Sequence, residues 1–96
     1  MKYWENKVQK QIKNANYYVY EHYLDNKLFY IGKGSGERCF HYADRSYLWK
    51  SIVNNREDDI VVKIKKTFQN ESEAFRFEKY RIITMSKKHN LANITY

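Results

Sequence analysis

Proline is absent from this 96-residue chain, glycine occurs three times and cysteine once. With so few breakers no linker, repeat or low-complexity stretch divides the sequence, and one small domain with a single core is expected over residues 1–96. The lone Cys39 has no internal disulfide partner, and no Cys/His cluster has the spacing of a structural zinc site, so packing must hold the fold. Long apolar runs are missing too. Nothing reads as a membrane span, and Met1-Lys2-Tyr3-Trp4-Glu5 lacks the apolar core of a signal peptide, which points to an intracellular protein. Acidic residues are in short supply: 18 Lys+Arg against 11 Asp+Glu give a formal charge of +7, a balance that favours polyanions such as nucleic acid or an anionic membrane.

Aromatic residues, by contrast, make up 18% of the chain, and its ten tyrosines interleave with Lys and Arg from end to end. Most suit a small core, ring inward and hydroxyl wet; the remainder are available to stack on bases or meet phosphates. Trp4 to Asn14 places Trp4, Val8, Gln11 and Ile12 at helical spacing, with Lys7, Lys10 and Lys13 elsewhere, as a short amphipathic N-terminal helix. Tyr17 to Tyr23 and Leu28 to Ile31 flank Asp25-Asn26 and read as a hairpin. Helices are expected from about Glu37 to Ala43, capped by Ser35 or a neighbour, and from Leu48 to Asn54. A third strand follows from Asp59 to Phe68, then a long helix from Glu71 to Met85 and an irregular or extended tail over 90–95. That order suits an α+β domain: a small three-stranded antiparallel sheet flanked by helices, with residues 1–16 as a helical extension.

Tyr30-Ile31-Gly32-Lys33, ten residues downstream of Tyr18-Val19-Tyr20, would set two tyrosines on neighbouring strands beside a glycine and a lysine, a grouping suited to phosphodiester cleavage. The hairpin register decides whether Tyr20 and Tyr30 share a face. A two-residue loop at Asp25-Asn26 pairs Tyr20 with Ile31 and sends the tyrosines to opposite faces; an odd-length loop centred on Asp25 pairs them directly. Asn26 tolerates the left-handed conformation a three-residue loop needs, so the odd loop is expected.

Glu78 lies, at about 100° per residue, in the middle of a stripe formed by Ala74, Phe75, Ile82 and Met85, with Arg81 on the same side. A carboxylate there requires compensation. Two alternatives stand: an ion pair with Arg81 or another basic residue, or a divalent-metal ligand of the kind that suits magnesium, which takes few protein ligands and completes its shell with water and phosphate. Phe77, Tyr80 and Ile83 fall off this stripe, so the helix could be covered on a second side, and monomer and homodimer both remain open. The run Gly32 to Gly36 lacks the full G-x-x-x-x-G-K-[ST] pattern of a nucleotide P-loop; it lets backbone N–H groups approach phosphate or simply joins a strand to a helix. Arg38, just inside the helix expected after it, would face an anion received there, with His41 one turn later on the same side.

Together these segments resemble the GIY-YIG nuclease family, over roughly Tyr17 to Thr95. Tyr18-Val19-Tyr20 stands at the first motif, with tyrosine in place of its glycine, and Tyr30-Ile31-Gly32 is the second motif intact. The run Phe29 to His41 is similar to the YIGKGxGxRxxxH-type segment of LEM-domain nucleases and of phage and bacterial orphans, with His41 one residue early. Glu73-Ala74-Phe75 with Glu78, then Asn90-Leu91-Ala92-Asn93-Ile94-Thr95, is similar to that branch's E-A-x-x-x-E helix and N-L-x-N-I-T ending.

The resemblance implies a Mg²⁺-dependent DNA endonuclease, with Mn²⁺ as a possible substitute, acting in the cytoplasm of a bacterial or phage-infected cell. It makes Tyr20 or Tyr30 the general base, with Lys33 favouring the ionised tyrosine, Arg38 steadying the phosphate, Glu78 holding the one metal, Asn93 supporting the site and His41 positioning or protonating. Lys7, Lys10, Lys13, Gly34 and Arg45 are expected to contact nucleic acid, through backbone phosphates rather than bases. RNA as substrate, and the structure or sequence cut, are left open. A non-catalytic nucleic-acid-binding protein of the same fold within a larger assembly is the alternative, and an interaction or inhibitor protein using the aromatic surface is a third.

Overall fold

The structure, a computed structural model, describes residues 2–93. Helix α1 (Glu5–Lys13) buries Val8 and Ile12, four residues apart, and turns Lys7, Lys10 and Lys13 to solvent. Strands β1 (Tyr17–Leu24) and β2 (Lys27–Gly34) form the hairpin. A 3₁₀ turn (Arg38–Phe40), helix α2 (Tyr47–Val53), a second 3₁₀ turn (Glu57–Asp59), strand β3 (Val61–Phe68) and helix α3 (Glu71–Met85) follow. Two of the helices begin on side-chain caps: Ser46 accepts the Trp49 N–H ahead of α2, and Asn70 accepts the Glu73 N–H ahead of α3. The sheet is antiparallel in the order β2-β1-β3, the three-stranded α+β architecture expected.

β1 is central and covered on both faces. Tyr18, Tyr20, His22 and Leu24 point to the side of α1 and α2, where Trp49, Val53, Phe29 and Cys39 complete the core. Val19, with Tyr17 and Tyr23 at its margins, packs under α3 with Leu28, Ile31, Ala74 and Leu91. This double cover explains why almost every residue of β1 is buried, Glu21 included.

The hairpin departs from the expected odd loop. Leu24 pairs with Lys27, leaving a two-residue turn in which Asp25 (φ 52°) and Asn26 (φ 64°) are both left-handed, as a type I′ turn requires. A bulge then shifts the register: Tyr23 pairs with Leu28 but His22 with Tyr30, so Phe29 is an extra residue. Phe29 and Tyr30 therefore both face the α2 side, and Tyr20 pairs with Gly32 rather than Tyr30. The tyrosines still share a face, with ring centroids 6.1 Å apart.

Two helical expectations also change. The segment 37–43 forms only the 3₁₀ turn, and His41 is extended (φ −88°, ψ 115°), so the helical spacing that would set it beside Arg38 does not exist. On α3 the inward stripe is Ala74, Phe77, Glu78, Arg81, Ile82 and Met85, while Phe75 is exposed. Phe77 takes the inner place because Phe68 of β3 receives it, ring to ring at 5.6 Å.

Candidate functional site

The glycines of β2 sit where they do because of the tyrosines opposite. Tyr18 pairs with Gly34 and Tyr20 with Gly32. A Cβ on Gly32 would lie 2.4 Å from Cζ and 2.5 Å from Oη of Tyr20, so the Tyr20 ring occupies the space a side chain would fill. At Gly34 the same position lies 2.9 Å from Cβ of Arg38 and 3.3 Å from Cε1 of Tyr18. Gly34 thus makes room for the stem of Arg38. The Tyr18 hydroxyl donates to the Gly36 carbonyl (2.7 Å) and accepts the Cys39 N–H (3.2 Å), tying the glycine loop, with Gly36 at φ +56°, to the sheet. Burial, with the Cys39 thiol adding to it and the Cys39 N–H working against it, pushes the Tyr18 hydroxyl well above the ordinary tyrosine range.

Above Tyr20 and Tyr30 sits a cation that sequence placed elsewhere. Arg45, expected to grip nucleic acid at the surface, is 7% exposed and spends its donors internally, because the chain folds back after the 3₁₀ turn and carries it over β2. Nη1 donates to the Tyr20 hydroxyl (2.7 Å), Nε to the His41 carbonyl (2.8 Å) and Nη2 to the Arg38 carbonyl (2.9 Å). Its guanidinium carbon lies 5.5 Å from the Tyr20 ring centre and 5.1 Å from that of Tyr30. Among the described residues no carboxylate pairs with it. Burial and the neighbouring Tyr30 raise the Tyr20 hydroxyl above its ordinary value, and Arg45 works against that rise. Tyr20 is 1% exposed, whereas Tyr30 is half-buried and open to solvent on one side. Arg38 is nearby, partly exposed, with one guanidinium nitrogen on Asp44 (2.8 Å).

His22 fixes this cluster from below. Its Nδ1 accepts the Trp49 indole N–H (3.1 Å), which leaves Nε2–H to donate to the Cys39 carbonyl (2.8 Å). Burial, reinforced by Arg45 and Arg38, lowers its pKa to about 3, so the ring is neutral. It joins α2 and the 3₁₀ turn to the sheet. Cys39 is fully buried and its thiol is pushed up to about 11, which makes it inert.

Lys33 does not assist Tyr20. Alternation sends it to the α3 face, where its ammonium pairs with Glu71 (2.6 Å). Arg45 holds the place beside the tyrosine that Lys33 was expected to fill. On that same face Arg81, one of the proposed partners of Glu78, is instead bound to Glu21 through Nη2 (2.6 Å) and Nε (3.2 Å), and Glu21 also accepts the Tyr23 hydroxyl (2.6 Å). Glu78 is left half-buried with no ion pair among the described residues. Burial raises its carboxyl above the ordinary value, offset in part by the charge of Lys33 and its backbone N–H.

These features lie on opposite faces of the sheet, and the outer edge of β2 runs between them. Phe29, Ile31 and Lys33 turn their backbone polar groups outward, away from β1, and each is met in order. The Ala92 N–H donates to the Phe29 carbonyl (2.6 Å), the Asn93 side chain accepts the Ile31 N–H (2.8 Å) and donates to the Ile31 carbonyl, and the Lys33 N–H faces Glu78. Asn93 thereby closes a sheet edge that would otherwise be open to pairing. Tyr20, Tyr30, Arg38 and Arg45 gather on one side of this edge strand; Glu78 and Lys33 reach it from the other. His41 is exposed and contributes only its carbonyl. Lys10 and Lys13 flank Gly36 and Glu37 beside the glycine loop, while Lys7 lies on the far side of α1, toward β3. Ile94 and Thr95 lie outside the described residues.

Comparison with known proteins returned no match: no family model, curated protein or solved structure is similar enough to this chain to identify it. Among the described residues no group of three or more His, Cys, Asp or Glu side chains forms a metal cage, and no helix is long and apolar enough to cross a membrane.

Proposed function

We propose that the protein is a Mg²⁺-dependent DNA endonuclease of the GIY-YIG type, cutting phosphodiester bonds at the outer edge of β2. The observation that carries this reading is Glu78: a carboxylate on the inward face of α3 whose candidate partners Arg81 and Lys33 are paired with Glu21 and Glu71. A single carboxylate fits a magnesium ion that keeps most of its water and takes a phosphate oxygen. Bound there, the ion would neutralise charge on the leaving oxygen.

The chain's own residues supply the rest. Tyr30, the accessible tyrosine, faces the attacking water and in its phenolate form accepts the water proton as the new P–O bond forms and the bond to the leaving oxygen breaks. Arg45, 5.1 Å from the Tyr30 ring, balances that negative charge from the buried side. Tyr20, its oxygen held by Arg45, keeps a proton to donate toward the water network. The unused nitrogens of Arg38 receive the non-bridging phosphate oxygens. Asn93 keeps the strand edge in place, and Lys10 and Lys13 hold backbone phosphates of the duplex.

Plasmid DNA incubated with wild type and Mg²⁺ should be nicked or cut. Glu78→Ala should lower the rate by on the order of 10²–10³-fold, as loss of a charge-stabilising group at a phosphoryl centre does. Equal rates for the two proteins would refute the nuclease reading, and cutting that persists in EDTA would refute the metal role of Glu78.

A further inference from the structure

A second recess opens at the other end of the same strand edge. It is about 570 Å³ in volume and lies between the β1–β2 turn and the segment that follows α3. Its size falls within the range of small-ligand sites. Leu24, Leu28, Phe29 and Ile52 form an apolar floor. Lys27, Lys88 and His89 stand at the rim. The acidic residue there, Asp25, is held through two hydrogen bonds of 2.9 and 2.8 Å by Arg56, which it shares with Asp59 (3.0 Å), and the two lysines keep the rim net cationic. An apolar floor ringed by ammonium groups matches a nucleobase carrying its phosphate better than a purely polar anion or an uncharged ligand.

Position supports the same occupant. Phe29, whose bulge turns its ring inward and its carbonyl to Ala92, belongs both to this recess and to the strand edge that leads through Ile31 to Lys33 and Glu78. Lys33 lies four positions along the strand from Phe29, about 13 Å at ~3.3 Å per residue. A nucleic-acid strand advances about 3.4 Å per nucleotide in a duplex, so the recess lies within about four nucleotides of the edge site. A base still stacked in a duplex cannot enter a recess of this kind; one in a single-stranded or splayed segment can.

We infer that this recess is a nucleotide-binding subsite that takes an unstacked base a few nucleotides from the cleaved bond, its phosphate held by Lys27 and Lys88. The inference rests on the nuclease reading for the identity of the strand, and it gives the substrate class as DNA with a single-stranded or splayed segment beside the cut.

The test uses full-length Glu78→Gln protein, which binds without cutting, and a fluorescein-labelled oligothymidylate followed by anisotropy. Lys27→Ala/Lys88→Ala added to it should weaken binding at least tenfold and flatten the dependence of log K on log salt by about 1.4, two cations at ~0.7 each on a single strand. An oligonucleotide of the same length made of abasic residues should also bind more weakly to the parent. Unchanged affinity in the double variant, equal affinity for the abasic strand, or displacement by polyglutamate as effective as by DNA would each overturn the subsite. Binding is read without cleavage, so a protein that bound as expected but never cut DNA would sink the nuclease reading alone.

Discussion

Two carboxylates lie between α3 and the sheet, Glu21 on the strand and Glu78 on the helix, and their surroundings differ in one respect. Glu21, at 0% exposure in the central strand, is fully compensated: Arg81 gives it two hydrogen bonds and Tyr23 a third. Glu78, less deeply placed on the helix itself, has a backbone N–H and the outlying charge of a lysine committed to Glu71. The molecule holds enough cations to pair both, yet Arg81 is used on the buried one. Glu21 is thus explained by folding alone. Glu78 has no such pair among the described residues, and on the proposed reading a metal ion compensates it.

Among the substitutions, breaking the Glu21 side should have the largest effect on stability. Glu21→Ala leaves Arg81 and the Tyr23 hydroxyl facing an apolar interface, and chemical denaturation should show a loss of about 3 kcal/mol. A change under about 1 kcal/mol would mean that the Glu21 pair is no more than a surface bridge. Next comes the packing that shapes the other face. Gly32→Ala puts a methyl group into the Tyr20 ring, and overpacking of this kind costs about 1–3 kcal/mol. The same variant should cut DNA more slowly, because Tyr20 must leave the Arg45 nitrogen that holds it. Unfolding and cleavage assays on one preparation check both.

Acid should reveal a third buried group. His22 has a folded pKa of about 3 against 6.5 unfolded, so the unfolded chain binds more protons between those values. Its contribution to stability is complete above the unfolded value and is lost as pH falls toward the folded one, with a slope approaching ~1.4 kcal/mol per unit. Denaturation midpoints that stay flat between about pH 6 and about pH 4 would contradict a neutral, buried His22.

The smallest effect should fall on Glu78 and carry the opposite sign. Its folded pKa is raised, so the folded protein binds the extra proton; stability is greatest while the carboxyl is protonated and declines as pH rises through the folded value. Glu78→Gln should therefore be slightly more stable than wild type at neutral pH, with the gap closing in acid. A variant less stable than wild type at neutral pH would place Glu78 with Glu21 as a structural residue.

Much of the fold was legible because the segments are strongly patterned. β1, β2 and α3 follow from runs of aromatic and β-branched residues and from the helix-length stretch Glu71 to Met85. The Phe29 bulge was not. Asp25-Asn26 can close a two-residue or a three-residue loop, and the choice depends on whether the extra ring finds space against His22 and Trp49, a contact made by residues far away in sequence. Tyr20 and Tyr30 do share a face, through the bulge and not through the odd loop expected.

At the site, Glu78 stood out because a charge inside an apolar helical stripe can be seen from spacing alone. Glu21 carried the same kind of signal, a carboxylate in a strand of aromatic and apolar residues, and could have been read in the same way. Arg45 carried none. It sits in the polar stretch Ala43-Asp44-Arg45-Ser46, and only the return of the chain over β2 makes it a buried cation. The glycines of Gly32-Lys33-Gly34 suggested phosphate contact, but two of their reasons for being there are the Tyr20 ring and the Arg38 stem.

The contrast between the two carboxylates is tested most directly by metal binding at Glu78. Mn²⁺ can stand in for Mg²⁺, and its effect on water-proton relaxation can be titrated with protein bound to a non-cleavable phosphorothioate duplex. Wild type should give a saturable enhancement, Glu78→Gln should stay close to the level of the duplex alone, and Glu21→Gln, to the extent that it folds, should behave as wild type. Equal enhancement from wild type and Glu78→Gln would contradict the metal role of Glu78.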